Sequence, residues 1–211
     1  MNGLFFMPRF ANTLGRIVGY HGCDRKVAEL ILHGKSEVHV SENDYDWLGK
    51  GAYFWVDSPL RAFKWAQDAK RRDERSPPTH RPAIKTPYVL GAFINTGLCL
   101  NLLDFEVIQE IRAMHDLYRS KMSPNEKTPE NTLIKNNVAI MRRLDCSVIN
   151  YLHFERARDR LPSYDTALGM FIEGPPVYEG AGFNSETHVQ IAVLNPAASI
   201  IGYFRPRYLD V

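Results

Sequence analysis

The stretch Glu186-Thr187-His188-Val189-Gln190-Ile191-Ala192-Val193-Leu194 reads as a β-strand from Thr187 to Leu194. Successive side chains of a strand point to opposite faces. Glu186, His188 and Gln190 therefore share one face, and Val189, Ile191 and Val193 share the other. The apolar face requires a core, and the polar face meets solvent or a ligand. This strand comes late in the chain, and the other strong strand signals lie far from it. Residues 200–204 form a further short strand, and Asp165 to Glu173 precede it as another, broken by Gly174-Pro175-Pro176. At the other end, residues 14–22 read as a strand closed by a glycine turn. Ala52 to Val56 and Tyr88 to Asn95 follow with strand composition. Strands at both ends must pair with one another across the chain, so the contacts are long-range.

Helical signals fall between them. Asp24 is placed to cap a short helix to His33, with Gly34 as its stop. Asp57 or Ser58 caps a second, with Pro59 in its first turn, running to about Arg72. Residues 73–87, with Pro77, Pro78, Pro82 and Pro87, form an exposed connection. Residues 104–120 carry an apolar stripe at Phe105, Ile108, Ile111, Met114 and Leu117. Residues 130–160 continue the helical pattern from Leu133 through Met141, Leu144, Ile149 and Leu152. The pattern predicts an α+β fold in a single domain over residues 1–211, with a mostly helical insertion at about 97–165.

Composition excludes several classes. The chain has 211 residues, 45% hydrophobic and 24% charged, enough for one real core. A formal net charge of +2 demands neither a nucleic-acid nor a membrane partner. Cys23, Cys99 and Cys146 are the three cysteines; without a Cys-x-x-Cys pair they suggest neither a disulfide framework nor a zinc site. No metal is expected, and a reduced, cytoplasmic setting is. The apolar patch Leu4 to Met7 is interrupted by Pro8 and Arg9 and reads as neither signal peptide nor membrane span.

Three segments carry chemistry. Tyr20-His21-Gly22 presents an imidazole at a strand end, with a glycine that permits close backbone approach. Gly49-Lys50-Gly51-Ala52-Tyr53-Phe54-Trp55 superficially resembles a phosphate loop, but a strand follows where a P-loop needs a helix, and no Lys-Ser or Lys-Thr is present. Its Tyr53 and Trp55 share one strand face. The third segment is the polar face of Glu186, His188 and Gln190.

In this order the segments resemble the ADP-ribosyltransferase superfamily, in its His-Tyr-Glu branch shared by poly(ADP-ribose) polymerases and diphtheria toxin. The resemblance rests on short motifs at the two ends of the chain and does not include residues 97–165. It implies a split antiparallel β-sheet core, with NAD⁺ as co-substrate. It implies that His21 and Gly22 bind the NAD⁺ ribose and the nicotinamide amide. Tyr53 would stack on the nicotinamide ring, and Trp65, in the helix around Ala62-Phe63-Lys64-Trp65-Ala66, would form the opposite wall. Flat cationic nicotinamide suits aromatic walls. The third catalytic member is Gln190 or Glu186. Glu186 has the expected carboxylate, but Gln190 fits the register of the apolar strand better, and His188 sits where relatives help to position the acceptor. A glutamine binds a ribose hydroxyl without supplying an anion, which favours mono-transfer over chain elongation.

The expected activity is cleavage of the nicotinamide–ribose bond and transfer of ADP-ribose to a protein or nucleic acid. The alternative is a catalytically weak or inactive protein of the same fold that binds NAD⁺, ADP-ribose or a partner. An RNA 2′-phosphate transferase ranks lower, since no arginine and histidine cluster accompanies His21. The resemblance further suggests a toxin held by an inhibitory antitoxin partner, or a phage-defence effector. Arg142, Arg143, Arg156, Arg158 and Arg160, with Lys70, Arg71, Arg72 and Arg75, are either solvated helix faces or phosphate contacts to an acceptor.

Overall fold

The computed structural model describes residues 15–207 apart from 80, 124, 136 and 137, and the backbone alone at 133–135 and 138–140. The apolar N-terminal patch and the first residue of the expected 14–22 strand lie outside the described residues. The fold is α+β. Strands β1 (Arg16–Asp24), β2 (Ala52–Val56), β3 (Pro87–Asn95), β4 (Cys99–Asn101), β7 (Thr166–Phe171), β8 (His188–Val193) and β9 (Ile200–Phe204) form one seven-stranded sheet. Their order is β4-β7-β8-β2-β1-β3-β9. Every neighbouring pair is antiparallel except β4 with β7. Strands β5 (Asn131–Lys135) and β6 (Val138–Arg142) pair separately.

The ladder between β1 and β2 is short. It pairs only Gly19 with Val56 and Tyr20 with Trp55, while β1 continues along β3 to Asp24 and β2 continues back along β8 to Ala52. The sheet thus opens between its two halves at His21, Gly22 and Tyr53. The resemblance implies a split antiparallel sheet, whereas the described strands form one continuous sheet, mixed because β4 runs parallel to β7, with two residue pairs joining β1 to β2.

Helix α1 (Arg25–Leu32) covers one face of the sheet, where Cys23, Phe54, Leu90, Ile94 and Ile191 form the core with Ala28 and Ile31. Asp24 caps it as expected, accepting from the Lys26 amide at 2.9 Å, and its second carboxylate oxygen accepts from Lys85 and Thr86 at 2.8 Å each. Gly34 ends it at φ +66°. Helix α2 (Pro59–Arg75) lies on the opposite face over β1 and β3. Ala62, Ala66 and Ala69 are fully buried. Their spacing of four and three residues puts them on one stripe, and small side chains let the helix sit low on the sheet. On the same face, α3 (Phe105–Lys121) and α4 (Arg143–Arg158) cover β4 and β7 through Leu100, Val107, Met114, Ile149, Leu152 and Phe171.

Two expectations are corrected. The helical pattern over 130–160 is a β-hairpin from Asn131 to Arg142 followed by α4. Thr132-Leu133-Ile134 and Val138-Ala139-Ile140 are rich in β-branched residues and are separated by Asn136-Asn137, which outweighs a helical stripe in so short a segment. The 97–165 block is also not a pure insertion, because β4 within it supplies an edge strand to the main sheet.

Near the C-terminal end of α4, a hollow of about 240 Å³ is lined by His153, Arg156, Ser163, Tyr164, Leu194 and Asn195. Burial pushes the His153 imidazole down to about 4, with the Arg156 charge acting in the same direction. The unfolded chain protonates this histidine near pH ~6.5, so the unfolded state takes up the extra proton first. Stability is therefore lost as pH falls from about 6.5 to about 4, by up to about 3 kcal/mol from this group. His153→Leu should shrink the drop in urea midpoint between pH 7 and pH 4.5. An unchanged drop would exclude His153 as its source.

Candidate functional site

The three expected motifs lie on three adjacent strands, in the order β8, β2, β1. Tyr20, Trp55 and Gln190 are cross-strand neighbours in one row. Just beyond this row the sheet opens, and His21 occupies the gap. Its Nδ1 donates to the Tyr53 carbonyl at 2.8 Å, a bond that the strand ladder would otherwise fill. A carbonyl only accepts, so Nδ1 carries the proton and Nε2 keeps its lone pair. Burial lowers the His21 pKa, opposed by the Tyr53 carbonyl and reinforced by His39, so the ring is neutral at pH 7.

Gly22 faces α2. A Cβ placed there would lie 2.4 Å from the Ala62 carbonyl oxygen and 3.1 Å from Cε3 of Trp65. The glycine of the first motif thus lies beside the aromatic residue of the helix, while Trp65 was expected opposite Tyr53. Trp65 is half-buried, packs at 5.6 Å on Trp55, and has the guanidinium groups of Arg72 and Arg81 at 5.9 and 6.0 Å from its ring centre.

Tyr53 turns from the opening into the core. Its hydroxyl donates to the Gly49 carbonyl at 2.7 Å and accepts from the Leu48 amide at 2.8 Å. Its ring packs in the cluster that contains Leu48, Phe171 and Ala192. The hydroxyl pKa is raised well above the usual value, by burial and by Asp46. In this conformation Tyr53 anchors the 48–50 turn, and His21 turns instead toward Phe54, with ring centroids 5.5 Å apart. His21 and Tyr53 therefore meet through backbone and imidazole, and their side chains do not converge.

Glu186 lies in the turn before β8, not in the strand with His188 and Gln190. It is ion-paired with Lys64 of α2, and its other oxygen is 3.5 Å from Arg61 Nη2. These contacts hold its carboxyl below the usual range, the Lys64 bond foremost. Arg61 also pairs with Glu173, a residue outside the expected set, and lies 5.9 Å from the Trp55 ring centre. The polar face of β8 thus meets a cluster of charged side chains from α2 and the 173–186 loop, where open solvent or a ligand was expected. That cluster was not evident in the sequence, because Arg61 and Lys64 find their partners 112 and 122 residues further on. Arg61 Nε and Trp55 Nε1 are buried donors without a hydrogen-bond partner.

His188 is buried between Trp55 and Phe171, at ring distances of 6.1 and 5.9 Å. Its Nδ1 lies 2.7 Å from the Glu186 carbonyl oxygen, and its Nε2 lies 3.0 Å from Gln190 Nε2. Two surface hollows, of about 240 and 390 Å³, contain none of the expected site residues. Among the described residues no group of three or more histidine, cysteine or acidic side chains is placed to hold a metal ion. Nor is any helix among them long and apolar enough to cross a membrane.

No protein-family profile matches the chain, and no solved structure matches it. An uncharacterized protein of Methanocaldococcus jannaschii is 48% identical over 50 residues, which is 24% of this chain and 22% of that protein. The shared segment is thus less than a quarter of either protein.

Proposed function

We propose that this chain is an ADP-ribosyltransferase that takes NAD⁺ as co-substrate and transfers a single ADP-ribose to a protein or nucleic acid. The observation that carries the reading is the opening of the sheet between β1 and β2. It falls at His21, Gly22 and Tyr53, with Trp65 against the glycine and the Gln190 strand alongside. At this break in the ladder the His21 Nδ1 takes the Tyr53 carbonyl, and the Nε2 lone pair is the group left to a ligand.

In this reading the bond between ribose C1′ and the nicotinamide nitrogen breaks, and nicotinamide leaves as a neutral molecule with the electron pair. An acceptor oxygen or nitrogen then bonds to C1′ and loses its proton. The transition state resembles an oxocarbenium ion, as in glycoside hydrolysis. Gln190 supplies a carboxamide oxygen to a ribose hydroxyl, a dipole where a glutamate would place an anion. The neutral His21 offers Nε2 as an acceptor. Glu186, engaged by Lys64 and Arg61, is a structural partner of α2 and leaves the third position to Gln190. The proposed acceptors, any inhibitory partner and a toxin or defence role rest on the same reading.

A second reading keeps the binding and loses the chemistry. The engagement of the Tyr53 hydroxyl by Leu48 and Gly49 favours it, since that ring is committed to the core. Nicotinamide release from NAD⁺ separates the two, with labelled NAD⁺ added to lysate to find the acceptor. Release that falls at least about a hundredfold in Gln190→Ala supports transfer. Binding of NAD⁺ without release supports the silent protein. Neither binding nor release removes both.

A further inference from the structure

His188 was expected to help position the acceptor, yet its side chain is buried and both ring nitrogens face protein atoms. The Glu186 carbonyl can only accept, so Nδ1 of His188 must carry the proton. Nε2 then has only a lone pair, and the Gln190 atom 3.0 Å away must be the donating NH₂. The two contacts together settle a choice that a lone glutamine leaves open, namely which end of its carboxamide points outward. We propose that His188 is a positioning residue that holds Gln190 with its amide nitrogen inward and its oxygen presented to a hydroxyl or N–H donor of the bound ligand. The naming of that donor as an NAD⁺ ribose hydroxyl rests on the transferase reading above; the orientation does not.

The chain supports this arrangement from several sides. Trp55 and Phe171 clamp the imidazole between them. Arg61 of α2, Glu173 after β7 and Glu186 before β8 are the charged groups facing it, with Glu173 Oε2 3.7 Å from Nδ1. Burial lowers the His188 pKa, and Arg61 acts in the same sense against the two glutamates. At pH 7 the ring is therefore neutral and Nε2 accepts. In acid the cation would carry a proton on Nε2, and Gln190 would have to turn its oxygen inward and its NH₂ outward. The outward-facing group would change from acceptor to donor.

The test begins with the full chain carrying ¹⁵N-histidine. Two-bond ¹H–¹⁵N spectra at pH 7 should show His188 as the Nδ1–H tautomer, titrating below the usual histidine range. In Gln190→Glu a carboxylate would face the Nε2 lone pair, and the His188 pKa should rise by at least about one unit. An Nε2–H tautomer in the wild type, or no rise in the variant, overturns the proposal. The second arm is nicotinamide release. His188→Leu keeps the packing and removes the acceptor, so kcat should fall about tenfold with KM for NAD⁺ within about twofold. Combined with Gln190→Ala it should cost nothing more, because the two act as one unit. Multiplicative losses would mean that His188 acts on its own and would also overturn it. If the wild-type chain releases no nicotinamide, the transferase reading fails, and the spectra still decide the orientation.

Discussion

Gly22→Ala should destabilise the protein by about 3 kcal/mol or more and unseat α2 from the sheet. The added methyl would lie 2.4 Å from the Ala62 carbonyl oxygen, well inside van der Waals contact. That atom belongs to helix backbone and cannot rotate away as a side-chain tip could. Its helix is held low by a buried alanine stripe, so relief requires lifting Ala62, Ala66 and Ala69 from the sheet together. Gly182→Ala is the matched control, because nothing lies within 4 Å of a Cβ there. Urea unfolding should separate the two variants by most of the full effect. Equal midpoints would mean that α2 does not rest on Gly22. Because Trp65 lies beside the same position, Gly22→Ala should also abolish any NAD⁺ binding in the sheet opening.

Asp73→Ala carries the second large effect. This carboxylate is 5% exposed and accepts three bonds: two from Arg81 at 2.7 and 2.8 Å and one from the Ile84 amide at 2.8 Å. Burial alone would raise its pKa, but Arg81 and the Ile84 amide hold it lower than usual. Removing one partner leaves a partly buried guanidinium and a buried amide without acceptors, at a cost of about 3 kcal/mol. The linkage runs in the acidic direction. The folded pKa lies below the unfolded one, so this stabilisation is present above about pH 4 and is lost as pH falls through the folded value. Asp73→Asn keeps the shape and some of the hydrogen bonding, so its loss should be smaller than that of alanine. Comparable stability of Asp73→Ala and wild type at pH 7 would show that residues 81–84 are held by other contacts.

How far these features were legible varies with the reach of the interaction behind them. Alternation along Val189, Ile191 and Val193 placed the late strand within one residue of its observed ends. Asp24 and Gly34 marked α1, since a cap and a stop are local events. Strand character around the three motifs was legible locally, whereas their adjacency in the sheet depends on long-range pairing. The hairpin at Asn131–Arg142 was missed because its apolar residues also fit a helical period. Strand β4 was missed because three residues carry no period at all. The charged cluster of Arg61, Lys64, Glu173 and Glu186 depends on two distant segments meeting, and each residue alone reads as solvated surface. The fate of the Tyr53 hydroxyl was likewise hidden, because its partners are the backbone groups of a turn.

The position of β8 between β7 and β2 has a consequence for synthesis. Strand β2 emerges early and finds only two partner residues on β1, while its main partner follows roughly 130 residues later. At translation rates of about 5–20 residues per second, its edge stays unpaired for on the order of ten seconds. Until β8 slots in, the nascent chain presents two half-sheets with exposed rims, the condition under which strands recruit foreign partners. The same late strand brings Gln190 into its row with Trp55 and Tyr20, so a ribosome-bound fragment lacking it would hold the early motifs without a finished sheet.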